Sequence, residues 1–203
     1  MPPPGTFERV YTALKQQLRE GAHRPGQRLE PAILSEALNA SVTPVRDALH
    51  RLTGERLVEA PGPGGFRVPT MTETTLRQLY AWHRDLLLLA VMNHRAAEPP
   101  DPAFLDDSDA PPSVRRQQEA VFLALALSAG NPEHVAAIEA LNDRLEPVRR
   151  LEQAFLDETE AETTEIVRAL GDHDRKALRR SLVRYHRRRE RIVPQLLARL
   201  IQE

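Results

Sequence analysis

The chain has 203 residues, with 28 Lys or Arg against 29 Asp or Glu, a formal net charge of -1, 41% hydrophobic residues and no cysteine. Such a composition is that of a soluble globular chain with room for one large or two small domains, and it excludes a disulfide framework, a cysteine-based zinc site and a thiol nucleophile. With no net positive charge, any binding to nucleic acid must come from a local arrangement rather than from bulk basicity.

The first residues, MPPPGTFERV, contain no apolar stretch of signal-peptide type, and the longest apolar run, Leu86 to Met92, falls far short of the roughly 20 residues of a membrane span. A cytoplasmic chain without membrane contact is expected. Phe7, Val10, Leu14 and Leu18 repeat at helical spacing, with Thr6 as cap and Gly21 as stop. AHRPGQRLE reads as a turn, and Pro31 to Leu38 as a two-turn helix opened by proline. A tight connection at Asn39 and Ala40 leads to a second short helix, expected to start with Thr43 as N-cap and Pro44 in the first helical position. In that helix Val45, Ala48, Leu49 and Leu52 fall at i, i+3, i+4 and i+7 and must be buried, leaving Thr43, Arg46, Asp47 and His50 facing outward. Two short helices joined this closely form a helix-turn-helix. RLVEA and FRV read as two strands around the Pro- and Gly-rich PGPGG, a hairpin that makes a wing.

Past PTMT the pattern becomes that of long helices. TLRQLYAWHRDLLLLAVMNHRAA is one, and the acidic, proline-rich EPPDPAFLDDSDAPPS follows as a loop. Further helices are VRRQQEAVFLALALSAG, a run opened by Asn131 and Pro132 with the same cap logic, a segment around AETTEIVRAL, and a long final helix from about Asp174 to Ile201. Pro147 and Pro194 are expected to kink or break their helices. The expected fold is mainly α, with a winged helix-turn-helix in residues 1–70 and an all-helical bundle in residues 71–203.

Leu38, Ser41, Pro44, Val45, Arg46, Ala48, Leu49, Leu52, Leu57, Val58, Gly65, Phe66 and Val68, preceded by RPGQRL from Arg24 to Leu29, resemble the winged helix-turn-helix domain of the GntR regulators. The helical remainder is similar to the FCD effector domain of the FadR branch, through LALSAGN ending at Asn131, the segment from Glu162 to Leu170 and the run from Gly171 to His186. The resemblance implies that the chain binds double-stranded DNA at an inverted-repeat operator as a homodimer. Ser41 and Thr43 would donate to phosphate, and Pro44 would lie at the start of a recognition helix whose Arg46 takes a guanine edge or a phosphate, with His50 on the same face. Gly64 and Gly65 would let the wing backbone approach closely. Two positions depart from the pattern: Val42 stands where an Arg is usual, and Ala32 lies where many relatives carry an early Arg.

Many FCD domains hold a divalent metal through an Asp and a His four residues apart, a later His and a His on the last long helix. The matching positions here are Gln118, Phe122, Thr163 and His186, so a single imidazole remains and no metal is expected in the usual way. His186 lies on the inward stripe of the final helix, and two readings of it stand: a core histidine with one satisfied hydrogen bond, or part of a small-molecule effector pocket made more apolar by Gln118, Phe122 and Thr163. Arg84 is either a second pocket group or half of a salt bridge within the bundle. The basic run RKALRRSLVRYHRRRER is read as a solvated face or a dimer-bridging surface.

The expected function is therefore a transcriptional regulator, read as a repressor, controlled by an effector bound in the bundle. Two alternatives remain: a ligand-independent regulator with a collapsed pocket, and a metal-dependent enzyme or metal-binding module. Against an enzyme, the sequence has no glycine-rich phosphate loop, no Gly-x-Ser-x-Gly elbow and no His-Glu-x-x-His, and no cofactor is expected.

Overall fold

The computed structural model describes residues 5–62, 65–94 and 113–202. Two compact units divide the chain, Met1–Met71 with Arg199–Glu203, and Thr72–Ala198.

In the first unit, α1 (Thr6–Arg19) turns Val10, Leu14 and Leu18 inward, as their spacing dictates. Its N-cap position is Gly5, so Thr6 is the first helical residue rather than the cap. The helix ends where Gly21 enters the left-handed region at φ 69°, letting the Gly21 N–H reach the Leu18 carbonyl and the Ala22 N–H the Gln17 carbonyl. The same closure, with Asn39 at φ 47°, ends α2 (Pro31–Ala37) and swings the chain into α3 (Val42–Gly54). The N-cap of α3 is Ser41, not Thr43, and Pro44 is its third residue. None of the N–H groups in a helix's first turn has an intrahelical acceptor, so proline is tolerated there as well as in the first position.

Val45, Ala48, Leu49 and Leu52 are fully buried and form one core with the α1 stripe, Leu34, Leu57, Val58 and Phe66. The wing differs from the expected hairpin. The segment read as a turn contributes β1 (Arg28–Leu29), which pairs antiparallel with β2 (Phe66–Arg67), Arg28 opposite Arg67 and Leu29 opposite Phe66. On the other side of β2 the strand expected at 56–60 shrinks to one bridge, Glu59 to Arg67, with N–H···O distances of 2.8 and 2.9 Å. The cause is local. Arg56 takes a left-handed φ of 61° to close α3, and Leu57 and Val58 go into the core, which leaves Glu59 alone in register.

The second unit contains α4 (Glu73–Asn93), α5 (Val114–Ser128), α6 (Pro132–Arg149), a 3-10 turn at Glu152–Ala154, α7 (Thr159–Gly171) and α8 (Arg175–Arg191). Helix α4 lies against α5, α6 and α8, and α7 against α5 and α8. Side-chain caps set the helix starts: Thr72 accepts from Thr75 N–H, Ser113 from Arg116, Asn131 from Glu133, and Asp174 from both Lys176 and Ala177. The long last helix is broken at Ile192, and α9 (Val193–Gln202) restarts with Pro194 in its first turn. Pro147, by contrast, stays inside α6 near its C-terminal end, where one lost backbone bond does not stop the helix. No helix among the described residues is long and apolar enough to cross a membrane.

The α3 stripe sets a contrast that can be measured. Leu49 is 0% exposed and Asp47 faces water, so Leu49→Ala should lower stability by about 2–5 kcal/mol and Asp47→Ala by less than about 0.5 kcal/mol, as read by urea unfolding.

Candidate functional site

The outward face of α3 carries Val42, Thr43, Arg46, Asp47 and His50, all exposed, with Pro44 half-buried beside them. Ser41 is exposed and makes no side-chain capping bond, and the helix dipole favours an anion at such a helix start. This face is held from behind. Arg9 on α1 donates from Nη1 to the Leu38 carbonyl at 2.8 Å and from Nη2 to Asn39 at 3.1 Å, bracing the turn between α2 and α3. At the far end of α3, the Tyr11 hydroxyl donates to Glu55 at 2.7 Å and the Arg51 guanidinium lies 4.0 Å over the Tyr11 ring.

The wing meets the same face. The His50 ring stands edge-on to Phe66, centroids 4.9 Å apart, so His50 packs on β2 as well as facing out. Gly65 enters β2 with φ 79°, a conformation that suits glycine, while Gly64 lies outside the described residues. Arg67 on the wing donates to Glu59 at 2.8 Å.

In the second unit, Gln118 and Phe122 on α5, Thr163 on α7 and His186 on α8 are all buried and come together. Gln118 Nε2 donates to Thr163 Oγ1 at 3.0 Å, and Phe122 stands edge-on to Tyr185. Arg84 does not join them; it is half-buried and pairs with Glu190 at 3.0 Å and with Asp85 at 3.1 Å. The cluster is not the apolar one expected. Its centre holds three polar groups that sequence reasoning passed over, His83, Asn142 and Arg149, each no more than 1% exposed. The signal was present, since His83 continues the stripe of Leu76, Leu79 and Tyr80, and Arg149 that of Ile138, Asn142 and Leu145.

Their hydrogen bonds are set by the Leu182 carbonyl and the Arg149 donors, and His83 Nε2 also lies 3.2 Å from Asn142 Oδ1. His186 Nδ1 lies 2.7 Å from the Leu182 carbonyl and must be the donor there, which leaves its Nε2 as an acceptor. His83 Nδ1, 2.9 Å away, therefore donates to it, and His83 Nε2 accepts from Arg149 Nη2 at 3.2 Å. Asn142 Oδ1 accepts from Arg149 Nη1 at 2.9 Å. Burial disfavours the charged form of both imidazoles. Burial pushes His83 well below the ordinary histidine value, helped by the Arg149 charge, and pushes His186 down to about 3.

Two arginines share this interior. Arg189 donates to Glu152 and to Glu162, each at 2.8 Å, and lies 3.3 Å over the Tyr185 ring; Glu152 also accepts from the Tyr80 hydroxyl. Arg149 is different, because no carboxylate among the described residues ion-pairs with it; its Nε, like Arg189 Nη2, has no hydrogen-bond partner. Burial opposes its charge, yet the oxygens of Tyr185, Glu152 and Glu146 outweigh that penalty and hold it protonated. No group of three or more His, Cys, Asp or Glu side chains able to hold a metal ion occurs among the described residues.

Residues 6–68 match the family described as bacterial regulatory proteins, gntR family. Over 82 residues the chain is 38% identical to the HTH-type transcriptional regulator McbR of Escherichia coli (strain K12), covering 40% of this chain and 37% of McbR. Over 70 residues it is 33% identical to the HTH-type transcriptional repressor GlaR of the same organism, covering 34% and 32%. The matched segment thus spans about a third of the length of these curated relatives. Across nearly the whole chain the fold is similar to a structure of E. coli McbR/YncC, with TM-score 0.69, 24% identity and coverage of 95% of this chain and 98% of that one. It is likewise similar to a putative transcriptional regulator GntR from Rhodococcus sp. RHA1, with TM-score 0.72, 21% identity and coverage of 95% and 99%. Residues 6–68 are a GntR-type winged helix-turn-helix domain, followed by a helical domain.

The buried histidine pair has a pH signature. With folded values depressed below the unfolded value of about 6.5, the unfolded chain binds more protons, so stability is full above that pH and falls as the pH drops toward 3. Unfolding followed from pH 7 to pH 4 should show this loss, with a slope reduced by about 1.4 kcal/mol per pH unit per proton in His186→Leu; an unchanged slope would show that His186 is charged in the folded protein.

Proposed function

We propose that the chain is a DNA-binding transcriptional regulator of the GntR family, acting as a homodimeric repressor released by a small-molecule effector. The observation that carries the DNA reading is the exposed face of α3, where Thr43, Arg46 and Asp47 stand on a helix whose opposite side is locked into the core. The uncapped start of α3 at Ser41 supports phosphate contact there, and the exposure of Arg46 supports its contact with a guanine edge or a phosphate. Two copies of this surface about 34 Å apart would engage an inverted repeat.

The effector reading is supported by Arg149. Arg149 ion-pairs with no carboxylate among the described residues and its Nε has no hydrogen-bond partner, so a small carboxylate would complete it and is the favoured effector class. The opposing observation is that Gln118 bonds Thr163 and His83 bonds His186 directly, which favours a ligand-independent regulator with a closed interior.

Selection of binding sites from random duplexes tests the first reading: Arg46→Ala should relax preference at one position of each half-site and weaken specific binding by about 1–3 kcal/mol. Thermal melts with a panel of small mono- and dicarboxylates separate the two effector readings. A ligand at a hundred times its Kd should stabilise the parent by about 2.7 kcal/mol and leave Arg149→Met unmoved, whereas silence across the panel favours the closed interior.

A further inference from the structure

Helix α8 is two-sided. Leu178, Leu182, Tyr185, His186 and Arg189 are buried, and the opposite side carries Lys176, Arg180, Arg187 and Arg191, flanked by Arg179 and Arg184, all exposed. Fifteen steps of about 1.5 Å stretch this stripe over roughly 22 Å. An open groove of about 700 Å³ runs along it, with Val183 as its one uncharged lining residue.

The chain neutralises little of this charge. Glu165 takes Arg184, and Glu162 takes Arg188 at 3.1 Å. Asp174, near Lys176 and Arg180, spends its carboxylate on the N–H groups of Lys176 and Ala177. Arg179, Arg187 and Arg191 ion-pair with no carboxylate among the described residues. Like charges four residues apart, as at Lys176 and Arg180 or Arg187 and Arg191, destabilise a helix, so the stripe is unfavourable until a polyanion lies on it.

We propose that the outer face of α8 is a second, sequence-independent contact for the backbone of double-stranded DNA. Guanidinium groups match phosphate oxygens in a two-pronged geometry that ammonium groups lack, and the stripe is almost wholly arginine. A row of charges along one helix face suits a duplex, which presents one charge per 1.7 Å or so of its axis. Single-stranded nucleic acid calls for aromatic platforms, and this face has none. A membrane surface calls for an apolar face to insert, and that of α8 is committed to the bundle interior.

The inference does not depend on the reading of α3. The test is binding of the full chain to a long random-sequence duplex as salt is varied. The triple variant Arg180→Gln, Arg187→Gln, Arg191→Gln should lose at least tenfold in affinity at low salt, and the slope of log K against log salt should shrink by about 2–3, at about 0.9 per phosphate contact. Replacing the same residues by Lys should largely restore both. Unchanged affinity and slope in a glutamine variant that melts like the parent would overturn the proposal, and the single variant Arg187→Gln serves where the triple does not fold. Tighter binding to anionic vesicles or to single-stranded RNA than to duplex would overturn it too. In an Arg46→Ala background the α8 effect should persist. If Arg46→Ala kept its sequence preference while the α8 variants lost random-duplex binding, the α3 reading would fail and this one would stand; the reverse result would leave only the α3 reading.

Discussion

Two guanidinium groups inside a helical bundle impose the main constraint on the second unit. Each brings five N–H donors out of water, and leaving a buried ion uncompensated costs several kcal/mol. Arg189 meets this demand with Glu152 from the 3-10 turn and Glu162 from α7, and the Tyr80 hydroxyl on α4 completes Glu152. One side chain on α8 thereby fixes the positions of three other elements. Arg149 meets it less fully, with Asn142 and a neutral His83 as acceptors. The tautomers of both histidines follow from the Leu182 carbonyl at one end of the hydrogen-bond chain and the Arg149 donors at the other.

The first unit is organised by apolar burial instead. The α3 stripe and the α1 stripe close on each other, and the braces from Arg9 and Tyr11 sit at the two ends of α3. A helix clamped in this way presents a fixed outer face. That rigidity would serve the proposed DNA contact of Thr43, Arg46 and Asp47, since a base-reading contact depends on side chains held to a fraction of an ångström. His50, shared between that face and Phe66, ties the orientation of the wing to the same helix.

The helices were legible because each buries a stripe at helical spacing and several open on a capping residue. Where a cap could be satisfied in more than one way, the boundary moved: Ser41 rather than Thr43 opens α3, since either residue can flank a first turn that contains proline. The wing was legible as a Gly- and Pro-bounded pair, but its partner was not. Two-residue strands carry almost no periodicity, and Arg28 and Leu29 pair with β2 only because the core draws Leu29 and Phe66 to the same side.

The sequence by itself determined the helical class, the helix-turn-helix and the outward set on α3, because these follow from local periodicity and from chemistry within a few residues. The inward placement of Gln118, Phe122, Thr163 and His186 was also within its reach, each being a position on a stripe. What the stripes meet was not. That His83 pairs with His186 across 103 residues, that Asn142 and Arg149 complete the cluster, and that Arg84 goes to Glu190 instead were decided by tertiary structure alone. A periodic pattern records which side of a helix is buried, whereas the partner of a buried polar group depends on how the helices cross, and that is set by packing over the whole bundle.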